Sequence, residues 1–358
     1  MLRNMIDRFV GRGEAAVTVP PMDGALRPNQ ALEQAAIAAE ARAPDNLVNH
    51  RGNILFSTGR ELRKLGADSV VHSFDRSITC LAAAPDGHLA VGLSGGEVVI
   101  VAPDGAVNSL PAAETSHATA LAFHDDALIV CRGSTRHSVD QWKRDLMEAG
   151  TSAPGSGSVV LIPRAGPPRV LADGLRWPYG AWSHQGRIIV SESWSHRLLA
   201  LDPAGGTRPQ TVLTDLPGYP ARLSAASDGG LWLAVFAPRS QLIEFVLRED
   251  GYRRRMLNEI DSDFWIAPTI ANGRSFLEPI QGGALKQMGV LKPWAPSRSY
   301  GLAIKLAADF EPVMSFHSRA DGSRHGTTSV LEQAGLLYVA SKGGDVIVSL
   351  PAEEFVEP

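Results

Sequence analysis

Three side chains of complementary chemistry stand at equivalent points of a recurring pattern: the carboxylate of Asp45, the phenol of Tyr179 and the guanidinium of Arg222. A carboxylate and a phenol can pass a proton to or from a reacting group. A guanidinium offers a planar fork that matches a carboxylate or another oxyanion. Together they would suit proton transfer at a small, anionic substrate, with Tyr179 as acid, Asp45 as base or orienter, and Arg222 holding the anion. Arg222 could instead pair with Asp45. A plainer alternative has Tyr179 and Trp177 filling space with aromatic surface.

The pattern that brings them together is a short mouth, an apolar strand, a turn and a second apolar strand. It recurs six times, beginning at Asp45, Thr79, Thr119, Tyr179, Ala221 and Thr328. In the fourth copy, YGAWSHQGRIIVSE, the turn is His184–Gln185–Gly186. Each copy places Gly, Asp or Asn where a tight reversal needs them. Most copies are about forty residues apart, the period of a four-stranded propeller blade. The expected fold is therefore all-β, a six-bladed β-propeller with an N-terminal helix and two loop insertions. In such a ring the first strand of every blade opens onto one channel, so the six mouths converge. Asn46 and Thr119 join the substrate-binding candidates at the mouths, and Trp177 just precedes one. His117 precedes the third mouth and His325 the sixth; His325 is a catalytic candidate and His117 a binding one. A transition-metal site from His117, His325 and Asp45 is open in chemical type, although no HxH pair supports it.

The two long gaps read as insertions at about 134–158 and 248–298. Trp142, Trp265 and Trp294 within them would give the channel apolar walls, and Tyr300, where strands resume, is a further binding candidate. The last copy has room for only three strands. Ala15–Val19 is expected to supply the fourth, with a helix over Asn29–Arg42, so that 1–42 closes the ring and 43–358 forms the propeller.

The bulk numbers exclude some functions. The 358-residue chain carries a net charge of −4, so no basic footprint points to nucleic acid. No apolar run is long enough for a membrane-spanning helix. Charges interrupt the N-terminus where a signal peptide would be apolar, and a cytoplasmic location is expected. Cys80 and Cys131, two in a chain of this length, read as buried thiols. The sequence does not set the oligomeric state. GxSxG, HExxH, CxxC and P-loop patterns are absent from it.

LADGLRWPYGAWSHQGRIIVSESWSHRLLAL and LPGYPARLSAASDGGLWLAV resemble the strictosidine synthase-like proteins, which belong with the gluconolactonases, SMP-30-type lactonases and paraoxonases. The resemblance covers roughly residues 43–352 and implies a six-bladed propeller. It also implies a central calcium in the lactonases, and none in the plant synthases. The metal-dependent relatives carry Glu at the first mouth, Asn at the fourth and Asp at the fifth. Here the sequence reads A-P-D-N, W-P-Y-G and Y-P-A-R. Calcium needs six to eight oxygen ligands, so loss of the calcium site is expected. No other cofactor is implied, and a different divalent metal stays open. Glu192, Trp194, His196 and Arg197 match a run that looks structural in relatives.

Three functions remain. The first is hydrolysis of a small lactone, ester or amide-like metabolite. The second is a synthase or lyase reaction at an imine or C–N bond. The third is a non-catalytic, ligand-binding propeller. Long loops over one channel end favour an enzyme.

Overall fold

The apolar runs fold into six four-stranded antiparallel sheets. The computed structural model describes residues 19–275, 277–279 and 298–353, with the backbone of Lys286–Gln287 and Val290–Leu291. Blade 1 starts at Asp45–His50, blade 2 at Ile78–Ala83, blade 3 at Ala118–His124, blade 4 at Pro178–His184, blade 5 at Gly218–Ala225 and blade 6 at Thr327–Gln333. These first strands pack each against the next, and the sixth against the first, which closes a six-bladed β-propeller.

The packing explains the continuous apolar runs. In the Arg187–Glu192 strand of blade 4, Ile188 and Val190 pack with Ile129, Cys131 and Val159 of blade 3. Between them Ile189 points the other way, onto Leu223 and Leu233 of blade 5. Successive side chains thus face opposite neighbours, and both faces of the blade are buried. Each fully buried Ile or Val contributes about 1.5–3 kcal/mol. The outermost strands of blades 1 and 2, Val70–Ser73 and Val107–Leu110, are mostly exposed. Cys80 and Cys131 are both buried free thiols.

The ring closes differently from the sequence expectation. Ala36–Glu40, from the stretch read as helix, is the fourth strand of blade 6 and pairs antiparallel with Val346–Pro351. The helix shrinks to Ala31–Gln34. Alanine favours helix by a few tenths of a kcal/mol per residue, which a row of unpaired sheet hydrogen bonds outweighs. Residues 15–18 of the expected closing strand lie outside the described residues.

The first insertion keeps close to its expected bounds, and the second is larger and more helical than expected. The first carries the Trp142–Ala149 helix. The second begins directly after the Leu231–Pro238 strand with the helices Gln241–Arg248 and Asp250–Glu259, where Ser240 Oγ caps the Ile243 amide. These helices pack on one another, and Leu146, Met147, Ile243, Val246 and Leu247 share one apolar cluster with Tyr219 and Phe236 of blade 5. The insertions therefore extend the propeller core over the mouths of blades 4 and 5.

A candidate active site at the channel mouth

Every first strand is irregular where it enters the sheet. Its register with the second strand shifts at Asp45/Val48, Ile78/Cys80, Ala118/Ala120, Pro178/Gly180, Pro220/Leu223 and Thr327/Ser329. A bulge leaves its extra residue unpaired and re-aims the side chain. The bulged residues include Asn46, Thr79, Thr119, Tyr179, Arg222 and Thr328, so the mouth chemistry is set by six repeated bulges. Gly180 follows Tyr179 because a Cβ there would meet Ala221 O at 2.3 Å.

Arg222 occupies the convergence point. Its Nη1 donates to Asp45 Oδ1 at 2.9 Å and to Thr328 O at 3.4 Å, and its Nη2 donates to Thr79 O at 2.8 Å and Thr119 O at 3.2 Å. The guanidinium carbon lies 4.9 Å from the centroid of the Tyr179 ring. One side chain from blade 5 thus touches the mouth of each other blade. Asp45 is saturated: Oδ1 also accepts from Thr328 Oγ1 at 2.9 Å and from the Asn46 amide at 2.8 Å, and Oδ2 accepts from Lys342 Nζ at 2.8 Å. Burial pushes the Asp45 carboxyl up, but Arg222 and Lys342 outweigh it and hold it below the usual range. Burial pulls the Lys342 ammonium down, and Asp45 reverses this, so its pKa is raised and it stays charged.

Above this pair lies a cavity of about 530 Å³, within the range of small-molecule sites. Asp45, Thr79, Thr328 and Lys342 line its floor, and Tyr179 and Phe236 one wall. Asp140 and Trp142 of the first insertion and Ile270 of the second reach its rim. Trp142 packs edge-on against Phe236 at 5.3 Å, and Tyr179 against the same ring at 5.5 Å.

Asp45, Tyr179 and Arg222 are brought together, but Arg222 is bound to Asp45 and to backbone carbonyls rather than free to clamp a substrate. Other candidates serve the scaffold. Asn46 is buried with φ +59°, and its Nδ2 donates to Ser57 Oγ at 2.8 Å. Thr119 Oγ1 donates to Cys131 O and Pro178 O. Trp177 is buried and stacks on Trp194 at 5.3 Å, with Gly133 against its face. His117 Nδ1 bonds Ser134 O at 2.9 Å. Buried His325 has both ring nitrogens engaged, with Ser299 Oγ at 2.6 Å and Arg319 O at 2.7 Å, so it cannot act on a channel ligand. Tyr300 OH bonds His317 Nδ1 at 3.1 Å, away from the cavity. Trp265 is core, its Nε1 donating to Ile260 O at 2.9 Å. Trp294 lies outside the described residues.

Sequence reasoning missed Lys342, Phe236 and Asp140. Lys342 sits in a glycine turn, but Ser341 pairs with Thr327, which places that turn beside the sixth mouth. The end of every second strand was therefore a readable signal. A calcium ion does not suit this donor set: among the described residues Asp45 is the one carboxylate on the cavity floor, and two cations already hold its oxygens. Nor are His117, His325 and Asp45 assembled as ligands; among the described residues no group of three or more His, Cys, Asp or Glu could hold a metal. No helix among the described residues is long and apolar enough to cross a membrane.

No family model matches the chain. It is 25% identical over 352 residues to the adipocyte plasma membrane-associated protein of Danio rerio, covering 90% of this chain and 79% of that protein. Among solved structures it is similar to a gluconolactonase of Xanthomonas campestris, with a TM-score of 0.54 at 12% identity over 93% of this chain and 96% of that one. It is also similar to the calcium-binding regucalcin of Agrobacterium tumefaciens, with a TM-score of 0.51 at 11% identity over 90% and 93% of the two chains. Its structural neighbours are propellers of the gluconolactonase and regucalcin type, and the shared property at these identities is the fold.

Proposed function

We propose that the protein hydrolyses a small lactone or ester in the channel-mouth cavity without a divalent metal. The observation that carries this reading is the Arg222–Asp45–Lys342 cluster on the floor of a partly aromatic cavity. A fixed cation in a site with little water stabilises the oxyanion of a tetrahedral intermediate more than it stabilises a neutral carbonyl. Lys342 supplies that charge and Tyr179 a hydroxyl on the same cavity, while Asp45 orients Lys342 and Arg222 ties Asp45 to the mouths of blades 2, 3 and 6. Because the Lys342 pKa is raised, this lysine supplies a charge and not the free amine that imine formation requires. The gluconolactonase among the neighbours shares the propeller that such a site needs.

The test is turnover of p-nitrophenyl acetate, δ-valerolactone and glucono-1,5-lactone by protein dialysed against EDTA. Activity should survive the dialysis. Lys342→Met and Tyr179→Phe should each lower kcat about a hundredfold with little change in KM, the loss expected for an oxyanion donor or general acid. Activity lost with EDTA and restored by calcium would overturn the metal-free reading, and no turnover of any ester or lactone would overturn the hydrolase reading.

A further inference from the structure

Among the described residues two carboxylates line the cavity, and they differ in what they can do. Asp45 has four donors on its oxygens, two of them cations, and is held ionised, so it is a poor proton acceptor. Asp140 stands at the rim, and among the described residues its carboxylate makes no hydrogen bond or ion pair, although the cavity lining includes it.

The turn carrying Asp140 is nevertheless firmly held. Residues Val139–Gln141 form a single 3-10 turn closed by a capping box between Ser138 and Gln141. Just before it, buried His137 bonds Asp145 Oδ2 at 2.9 Å and lies 3.3 Å from Glu148 Oε2. Just after it, Trp142 is packed on Phe236. A free carboxylate on a held turn that lines the same cavity as a fixed ammonium is the arrangement a water-activating base needs. No histidine lines this cavity among the described residues.

We propose that Asp140 is the general base of this site; the inference rests on the hydrolase reading above. The oxygen of a water molecule attacks the substrate carbonyl carbon, and one of its protons passes to Asp140. The carbonyl electron pair moves onto its oxygen, which faces Lys342 and Tyr179. When that pair returns, the bond to the leaving alkoxide breaks. The proton on Asp140 then passes to the alkoxide, which restores the carboxylate.

Asp140 is exposed, so its replacement should leave the melting temperature unchanged. With whichever of the three probe substrates the native protein turns over, Asp140→Ala and Asp140→Asn should each lower kcat about a hundredfold at nearly constant KM. Added formate should restore part of the rate to Asp140→Ala and none to Asp140→Asn, where the amide fills the space. Wild-type rates in both variants would overturn the assignment, and so would loss of rate in Asp140→Ala without recovery by formate. Absence of turnover by the native protein is the distinct outcome in which the hydrolase reading itself fails and carries this one with it.

Discussion

Arg222 shows how far a single residue could be read before its neighbours were known. Its place at the fifth mouth followed from the repeat, as did those of Asp45 and Tyr179. Its role did not, because pairing and clamping require the same guanidinium and differ only in which oxygens lie within reach. Four protein oxygens are within reach. His117 and His325 were misplaced for another reason. A residue two or three positions before a mouth lies on the connection between blades, and there scaffold groups take up both rings: His117 bonds Ser134 O of the first insertion, and His325 bonds Arg319 O of its own connection and Ser299 Oγ of the second insertion. Asp140 was hidden because an insertion has no repeat to align against. The hub has a measurable consequence. Arg222→Met leaves the buried Asp45 with Lys342 as its one remaining cation and strips donors from three backbone carbonyls. Breaking a buried pair on one side costs about 3–5 kcal/mol, and urea unfolding should show a loss of that order. Arg222→Met combined with Asp45→Asn should be less destabilised than the sum of the two single changes, since the unpaired charge is gone. A single-variant loss below about 1 kcal/mol would mean that the channel floor relaxes around the gap and that Arg222 is no hub.

At the scale of elements, the blades were legible because each buries both faces of a strand and so writes an apolar run between two turns. The closing strand was not. AIAAE, at Ala36–Glu40, is alanine-rich and short, and it becomes a strand because Val346–Pro351 offers it an edge. The six bulges were equally silent, since a bulge is a mismatch between two strands and neither strand records it alone. The element-scale prediction follows from the closure. Deleting residues 1–40 exposes the edge of Val346–Pro351 and removes a ladder of backbone hydrogen bonds, so it should lower the urea midpoint and promote association through the open edge. Deleting residues 1–18 spares the observed pairing. The two truncations should therefore differ, with the longer one less stable by several kcal/mol on the usual worth of such contacts. Equal midpoints would show that the ring is closed by something other than Ala36–Glu40.

At the scale of the whole molecule, the packed blades bury polar side chains as well as apolar ones, and His196, His317 and His325 among them must stay neutral. His317, bonded to Tyr300 and Ser315, is pushed down to about 3 by burial. His196 lies well below its ordinary value, first through burial and then through Arg239. His325 is lowered too, again by burial. In the unfolded chain each would take a proton near pH 6.5. Below that pH the unfolded state binds protons that the folded state refuses, so stability should fall as the solution is acidified from about 6.5 towards the lower folded values. For each such histidine the slope approaches about 1.4 kcal/mol per pH unit within its window. Asp45, whose folded value is depressed, adds a further loss only below its ordinary carboxylate range. The melting temperature should therefore be nearly level from pH 8 to 7 and decline steadily below 6.5. His317→Gln should start less stable at pH 7, because its hydrogen bonds to Ser315 and Tyr300 are disturbed, yet decline less steeply between pH 6 and 4. A wild-type melting temperature that stays level to pH 4 would contradict the burial of neutral histidines as the source of acid sensitivity. A His317→Gln slope equal to wild type would assign that sensitivity to His196 and His325 instead.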